Sequence, residues 1–168
     1  MSTKKDKFSN KDKIFMELAL NLAKARHGLT GINPSVGCVI VKNNEILSIG
    51  QTGFKGTPHA EFNAIKNSNE NLEGSKMYVT LEPCSHYGKT PPCTNIIIKN
   101  KIKEVVYAVE DIDKKVKGKT LKILQSKDIL VKKIYLKMKL INFIYPISLI
   151  EKITFLLLLV KLQFLEII

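Results

Sequence analysis

Cysteine is scarce in this chain of 168 residues, and its three cysteines are an odd number. They are Cys38, Cys84 and Cys93. Residues 1–13 are polar and rich in lysine, and they lack the apolar core of a secretory signal peptide. Because an odd number of cysteines without a secretory signal does not suit a disulfide framework, we expect reduced thiols and a cytoplasmic protein.

Apolar runs long enough to cross a membrane are also lacking. The run at residues 153–160 has eight residues, whereas a spanning helix needs about 20. We therefore expect no membrane span. The sequence predicts a flexible arm at residues 1–10, one domain at 11–135 and an apolar tail of unknown role at 136–168. The tail fits a packing helix, a partner-binding segment or non-native coding after a frame change, and its apolar character makes a homo-oligomer possible.

Arginine is nearly absent, since Arg26 is the only arginine among 27 basic residues. The net charge of +12 is a feature of nucleic-acid-binding proteins. However, an excess of lysine together with isoleucine and asparagine is typical of the codon usage of an A/T-rich genome. We therefore expect no nucleic-acid partner, although the charge could steer a phosphorylated small substrate towards the protein.

Residues 59–93 contain the groups that carry chemistry. His59, Cys84 and Cys93 supply the three protein ligands of a catalytic zinc, with a fourth position open for water. The order H-x-E and then P-C is the zinc-deaminase signature, in which the glutamate, here Glu61, moves protons and does not bind the metal. A helix that starts at Cys93 would favour its thiolate. Cys38 lies in an apolar run, and we interpret it as a buried hydrophobic residue rather than a fourth ligand.

Two other interpretations remain for this stretch. His59 and Glu61 could merely cap a helix beside structural cysteines, or the chain could be a zinc deaminase acting on tRNA or nucleosides. The second class uses P-C-x-x-C, whereas eight residues separate Cys84 from Cys93 here. The wide loop carries polar groups suited to a phosphorylated substrate, namely Ser85, His86, Lys89 and Thr90.

The hydrophobic periodicity and the turn residues predict alternating helices and strands in the order α-β-β-α-β-α-β-α-β. Ser9 and Asp12 resemble a capping box, and Asn43-Asn44 suits a tight hairpin turn. This order predicts an α/β fold, with a mixed sheet covered by helices on both faces. The expected helices are 11–27, 59–66, 94–99 and 120–125, and the expected strands are 36–41, 45–50, 76–81, 103–109 and 129–133.

Three segments together resemble a known family. They are Asn33–Val41, Pro58–Glu61 and Tyr78–Cys93, the last reading YVTLEPCSHYGKTPPC. They are similar to the deaminase domain of the bifunctional riboflavin-biosynthesis deaminase/reductase, over about residues 11–133. The resemblance implies a cytidine deaminase-like three-layer α/β/α sandwich. It also implies zinc-dependent hydrolysis of 2,5-diamino-6-ribosylamino-4(3H)-pyrimidinone 5′-phosphate to 5-amino-6-ribosylaminouracil 5′-phosphate and ammonia.

The resemblance also assigns roles to individual residues. It makes His59, Cys84 and Cys93 the ligands of one Zn²⁺ and Glu61 the proton shuttle. The implied substrate contacts are Asn33, His86, Lys89, Asp111 and Asp113.

The chain departs from the family pattern in three places. The usual Asp-Pro-Asn-Pro is replaced by Asp111-Ile112-Asp113-Lys114, and Thr52 stands where a histidine is frequent. No nicotinamide-binding element is visible, so we expect either that a separate reductase carries out the next step or that the chain is a truncated gene product. A non-catalytic zinc-stabilised module whose apolar tail binds a partner is the remaining alternative.

Overall fold

The computed structural model of the chain describes residues 8–88, 90–113 and 116–134. The expected order of elements is confirmed. The tail expected at 136–168 and most of the arm expected at 1–10 lie outside the described residues. The helices are α1 (Asn10–Lys24), α2 (Ala60–Lys66), α3 (Cys93–Lys99) and α4 (Lys119–Gln125), and the strands are β1 (Gly37–Lys42), β2 (Glu45–Gln51), β3 (Lys76–Leu81), β4 (Glu104–Val109) and β5 (Leu130–Lys133).

The five strands form one mixed sheet in the order β2-β1-β3-β4-β5. β1 runs antiparallel to both β2 and β3, whereas β3, β4 and β5 run parallel to one another. The hairpin between β1 and β2 turns at Asn43 and Asn44, whose φ angles of 53° and 65° are left-handed. Asparagine tolerates this region better than most residues, so the expected tight turn is confirmed.

Helices cover both faces of the sheet, which confirms the three-layer α/β/α architecture. On one face, Cys38, Ile40 and Val79 pack against Ala64 of α2 and Ile97 of α3. Because successive residues of a strand point to opposite faces, the neighbouring strand residues form the second cluster, under α1. The second cluster contains Met16, Ala19, Val39, Tyr78 and Val106. Cys38 is fully buried, as expected from its place in an apolar run.

α1 begins as expected and ends three residues before the predicted end at residue 27. Ser9 and Asp12 form a capping box in which Ser9 Oγ accepts from the Asp12 N–H at 3.1 Å and Asp12 Oδ2 accepts from the Ser9 N–H at 2.8 Å. At the other end, the Ser35 hydroxyl donates to the Ala23 carbonyl at 2.6 Å. This contact from a distant loop, which no helical periodicity shows, adds a second donor to a carbonyl of the last turn that also accepts from the Arg26 N–H at 3.0 Å.

Several chain segments meet at one edge of the sheet. The carboxyl ends of the parallel strands β3 and β4 lie there, together with the amino end of the antiparallel β1. The loops 82–92 and 110–118 leave this edge, and the loop 33–36 enters it. A short 3-10 turn at Phe54–Gly56, which the sequence did not predict, leads into α2. Within the described ranges, no helix is both long and apolar enough to span a bilayer.

Candidate metal centre and active site

His59, Cys84 and Cys93 converge at this edge of the sheet. The His59 Nδ1 atom lies 3.3 Å from Cys93 Sγ and 3.6 Å from Cys84 Sγ, and the three ligand atoms all lie within 4.8 Å of one another. Cys84 is in the loop after β3, and Cys93 is the first residue of α3. The expected position of His59 was slightly wrong, because its extended backbone (φ −69°, ψ 156°) makes it the N-cap residue preceding α2.

The three ligand atoms fit a zinc ion. Tetrahedral zinc with usual Zn–N and Zn–S bonds places neighbouring nitrogen and sulfur ligands about 3.6 Å apart. The observed distances of 3.3 Å and 3.6 Å match this spacing. Among the described residues, the group of potential ligands consists of these three and does not include Cys38. Three protein ligands are typical of a catalytic zinc with an open position, and the cluster therefore fits one Zn²⁺.

In the absence of a metal ion, hydrogen bonds within the cluster shift the pKa values of all three side chains. Hydrogen bonding with Cys93 lowers the pKa of Cys84 to about 4, and the Cys93 N–H donates to Cys84 Sγ at 3.2 Å. Hydrogen bonding with Cys84, followed by burial, raises the pKa of Cys93. These directions favour the thiolate on Cys84 in the absence of zinc, whereas a bound zinc would hold both sulfur atoms as thiolates. The hydrogen bond with Cys84 also raises the pKa of His59 to about 8, so zinc binding must release protons.

Glu61 is buried beside this cluster. It lies in the first turn of α2, two residues after His59, and is 4% exposed. Burial raises the pKa of Glu61, and the negative charge of Cys84 raises it further. A buried carboxyl group with a raised pKa beside a metal site has the properties of a general acid and base.

Most of the predicted site residues line one cavity of about 290 Å³. This volume is near the lower end of the range for small-molecule sites. Cys93 lines a neighbouring groove that shares His59 with this cavity, together with Phe62 and Pro92. Lys89 lies outside the described residues. Of the predicted residues, the cavity wall includes Asn33, His59, Glu61, Cys84, His86, Asp111 and Asp113.

The loop that carries Asn33 is fixed by hydrogen bonds. Asn33 Nδ2 donates to the Lys55 carbonyl at 3.2 Å, and the Thr30 hydroxyl donates to the Asn33 carbonyl at 2.8 Å. Thr52, where the family frequently has histidine, accepts from the Val36 N–H at 2.9 Å through its hydroxyl. This hydrogen bond holds the backbone just before β1 in place, and Thr52 also lines the cavity.

His86 faces the same cavity from the wide cysteine loop. Its Nδ1 atom is buried, and it has no hydrogen-bond partner among the described residues. A buried ring nitrogen that lacks a partner is costly unless a ligand or water satisfies it. This geometry suits contact with a polar substrate.

The cavity wall also includes residues that sequence reasoning did not single out, among them Glu82 and Val116. Glu82 is 2% exposed, although it is a carboxylic acid. The only sequence signal was an acidic residue directly after an apolar strand and before Pro83. Val116 lies between β4 and α4, outside any helix or strand, where no hydrophobic periodicity indicates its burial.

Comparison with known proteins identifies the family. The model of the cytidine and deoxycytidylate deaminase zinc-binding region matches residues 9–109. The chain is 47% identical over 115 residues to the riboflavin biosynthesis protein RibD of Aquifex aeolicus, covering 68% of this chain and 32% of that protein. It is 45% identical over 122 residues to the diaminohydroxyphosphoribosylamino-pyrimidine deaminase of Buchnera aphidicola subsp. Schizaphis graminum, covering 73% of this chain and 83% of that protein.

A solved structure agrees with these matches. The diaminohydroxyphosphoribosylaminopyrimidine deaminase/5-amino-6-(5-phosphoribosylamino)uracil reductase of Thermotoga maritima superposes with a TM-score of 0.75 at 37% identity, over 80% of this chain and 39% of that one. The chain thus spans about a third of the length of the RibD relative and most of the length of the Buchnera deaminase. The chain belongs to the zinc-binding cytidine and deoxycytidylate deaminase family and, within it, to the diaminohydroxyphosphoribosylaminopyrimidine deaminases of riboflavin biosynthesis.

Proposed function

We propose that this protein hydrolyses 2,5-diamino-6-ribosylamino-4(3H)-pyrimidinone 5′-phosphate to 5-amino-6-ribosylaminouracil 5′-phosphate and ammonia. The observation that carries the proposal is the convergence of His59, Cys84 and Cys93 beside the buried Glu61. The named activity of the Buchnera deaminase, most of whose length this chain covers, indicates the substrate.

The reaction replaces the 2-amino group of the pyrimidinone with an oxygen atom from water. When bound to the three ligands, zinc supplies Lewis acidity that activates water. Glu61 is the proton shuttle: its carboxylate takes a proton from the attacking water and passes one to the departing amine, which leaves as ammonia. Because Glu61 is buried, the proton moves between the reacting atoms and is not lost to solvent.

Residues on the cavity wall bind the substrate in this proposal. Since Asn33 Nδ2 already donates to Lys55, its Oδ1 is the atom that accepts a hydrogen bond from the substrate. His86 contributes its buried ring nitrogen, and Asp111 and Asp113 accept from substrate N–H or O–H groups. Asp113 cannot donate as the usual asparagine of the family does, so it recognises donor groups alone. We assign Lys89 to the phosphate on the basis of the sequence.

A few features of the cellular setting belong to the same proposal. The reaction takes place in the cytoplasm, which suits the free cysteines Cys38, Cys84 and Cys93. The deaminated product passes to a separate reductase. The proposal includes a homo-oligomer that forms through the apolar residues 136–168. Sedimentation velocity of the full chain measures this oligomeric state.

An ammonia-release assay on the diaminopyrimidine phosphate, with zinc quantified in the same sample, tests the function. We expect turnover by the wild-type protein with about one zinc per chain. Glu61→Gln should lower kcat by about 10²- to 10⁴-fold, the usual contribution of general acid–base catalysis, while the zinc content stays unchanged.

Glu45→Gln, which removes an exposed carboxylate of β2, is the matched control and should keep wild-type turnover. Absence of ammonia release from zinc-loaded wild-type protein would reject the proposed substrate. Wild-type kcat in Glu61→Gln would instead reject the assigned role of Glu61.

A further inference from the structure

Glu82 is a buried carboxylate that lies directly after β3. Within the described ranges, no lysine, arginine or histidine forms an ion pair with it. Its oxygen atoms instead accept hydrogen bonds from backbone amides. The Gly118 N–H donates to Oε1 at 3.0 Å and to Oε2 at 3.2 Å, and the Asp111 N–H lies 3.4 Å from Oε2. The Glu82 carboxylate therefore binds the backbone amides of Asp111 and Gly118.

The two amides lie near opposite ends of the loop 110–118, which joins β4 to α4. Two further hydrogen bonds connect the same segments. The Glu82 N–H donates to the Val109 carbonyl at 2.8 Å, and the Thr120 hydroxyl donates to the Pro83 carbonyl. The Glu82-Pro83 dipeptide, which directly precedes Cys84, is thus hydrogen-bonded to the chain at both ends of the loop.

The loop held in this way forms part of the cavity wall, through Asp111, Asp113 and Val116. A carboxylate is suited to this task, since it offers two acceptor oxygens and no donor. Glutamine in its place would offer one acceptor and would direct an NH₂ group at one of the two backbone amides. Burying a carboxylate is also expensive, so a purely apolar contact would stabilise the fold better if position did not matter.

We propose that Glu82 is a positioning residue for substrate binding, which fixes the backbone at Asp111 and Gly118 so that Asp111 and Asp113 face the bound pyrimidine. The inference rests on the proposed deaminase function. Glu82 acts through the loop and does not itself take part in proton transfer, whereas Glu61 acts on the reacting atoms. Loss of Glu82 therefore affects substrate affinity more than the chemical step.

Steady-state kinetics of Glu82→Gln test this. We expect KM to rise by about tenfold or more, kcat to stay within about threefold and zinc to remain at about one per chain. Glu73→Gln is the matched control, because Glu73 is a carboxylate outside this loop and pairs with Lys101 at 3.1 Å. It should keep the wild-type KM. An unchanged KM in Glu82→Gln, or a fall in kcat alone, would overturn the proposal.

Hydrogen exchange separates this inference from the proposed function, because it does not depend on turnover. In the zinc-loaded wild-type protein, the amides of Asp111 and Gly118 should exchange about 100-fold or more slowly than unstructured amides. Glu82→Gln should remove much of this protection. Exchange of both amides at unstructured rates in the wild-type protein would overturn the anchoring role, even if Glu82→Gln fails to fold. Absence of wild-type turnover would reject only the proposed function.

Discussion

At the scale of single residues, Cys38 and Cys93 show that burial alone does not give a cysteine its role. Both are buried, at 0% and 3% exposure. Cys38 points into an apolar cluster with Ile40 and Val79, whereas Cys93 lies 3.3 Å from His59 Nδ1. The first thiol therefore behaves as a small hydrophobic group, and the second has the neighbours of a metal ligand.

Replacement of each cysteine should separate these two roles. Cys93→Ser removes a thiolate ligand, and we expect zinc affinity to fall by at least about 100-fold. Cys38→Ala should keep about one zinc per chain and lose roughly 1 kcal/mol of unfolding free energy through the cavity that it leaves. Zinc titration with a competing chelator measures the affinities. Wild-type affinity in Cys93→Ser would show that the cluster is not the metal site.

The sequence was sufficient to predict that His59, Cys84 and Cys93 come together, and it was insufficient for the residues that hold the cavity wall. Histidine and cysteine are rare in this chain, and their order with Glu61 is specific to one chemistry. Glu82 works through the backbone of Gly118, a residue 36 positions away, and the side chain of Thr52 binds the backbone of Val36. Contacts with backbone groups leave no residue pattern, so only the folded chain shows them.

At the scale of elements, two glycines allow helices to approach the sheet closely. A Cβ atom at Gly50 of β2 would lie 2.2 Å from the Ala60 carbonyl oxygen of α2. A Cβ atom at Gly37 of β1 would lie 1.8 Å from the Ala19 carbonyl oxygen of α1. The two contacts are on opposite faces of the sheet, and of these two helices only α2 carries a site residue, Glu61.

Gly50→Ala should therefore impair the site, because it displaces the helix start that positions His59 and Glu61. We expect zinc affinity and kcat/KM to fall by about tenfold or more, beyond any loss of stability. Gly37→Ala is the matched control: it should destabilise the fold by overpacking, by about 1–3 kcal/mol, and bind zinc normally when folded. Thermal unfolding and zinc titration distinguish the two effects, and equal zinc affinity in both variants would contradict this account.

Asp12 connects α1 to the sheet. Its carboxylate accepts hydrogen bonds from the Tyr78 hydroxyl at 2.6 Å, from Ser9 Oγ at 2.7 Å and from Lys76 Nζ at 3.3 Å. Burial raises the pKa of Asp12, but the hydrogen bonds from Tyr78, Ser9 and Lys76 outweigh it and hold the pKa well below its ordinary value. The carboxylate therefore stabilises the fold above the unfolded pKa of about 4, and this contribution is lost as the pH falls towards the folded value.

Asp12→Asn should lower the unfolding free energy by about 2 kcal/mol near pH 7, because it replaces charge-assisted hydrogen bonds with neutral ones. The difference from wild type should shrink once the pH falls below about 4. Urea unfolding at both pH values measures it. Asp128→Asn, at an exposed turn position, is the control and should stay within about 0.5 kcal/mol of wild type at both. A pH-independent difference for Asp12→Asn would contradict the linkage.

The elements themselves were largely predictable, since each of the nine falls where periodicity and turn residues placed it. The misplaced boundaries have identifiable causes. α1 ends early where Ser35 binds the Ala23 carbonyl, and the 3-10 turn at Phe54–Gly56 forms where the Gly53 N–H donates to the Pro58 carbonyl at 2.8 Å. Both depend on contacts with loops, whose conformation the local pattern does not specify.

At the scale of the whole molecule, the net charge of +12 has a different consequence for each class of substrate. An enzyme that acts on a small phosphorylated substrate gains association rate from a positive field, and salt screens that field. An enzyme that acts on RNA releases counterions from many phosphates, so its affinity falls far more steeply with salt. The cavity of about 290 Å³ beside Glu61 has the size of a small-molecule site.

We therefore expect kcat/KM for the diaminopyrimidine phosphate to fall by a few-fold between about 20 and 200 mM salt, while kcat stays constant, because screening affects encounter and not chemistry. The same substrate without its phosphate should lose most of this dependence, which makes it the matched control. Transfer RNA at micromolar concentration should not inhibit turnover near 150 mM salt, where non-specific binding is weak. Competitive inhibition by RNA at that salt concentration would instead indicate that the positive charge serves a polynucleotide substrate.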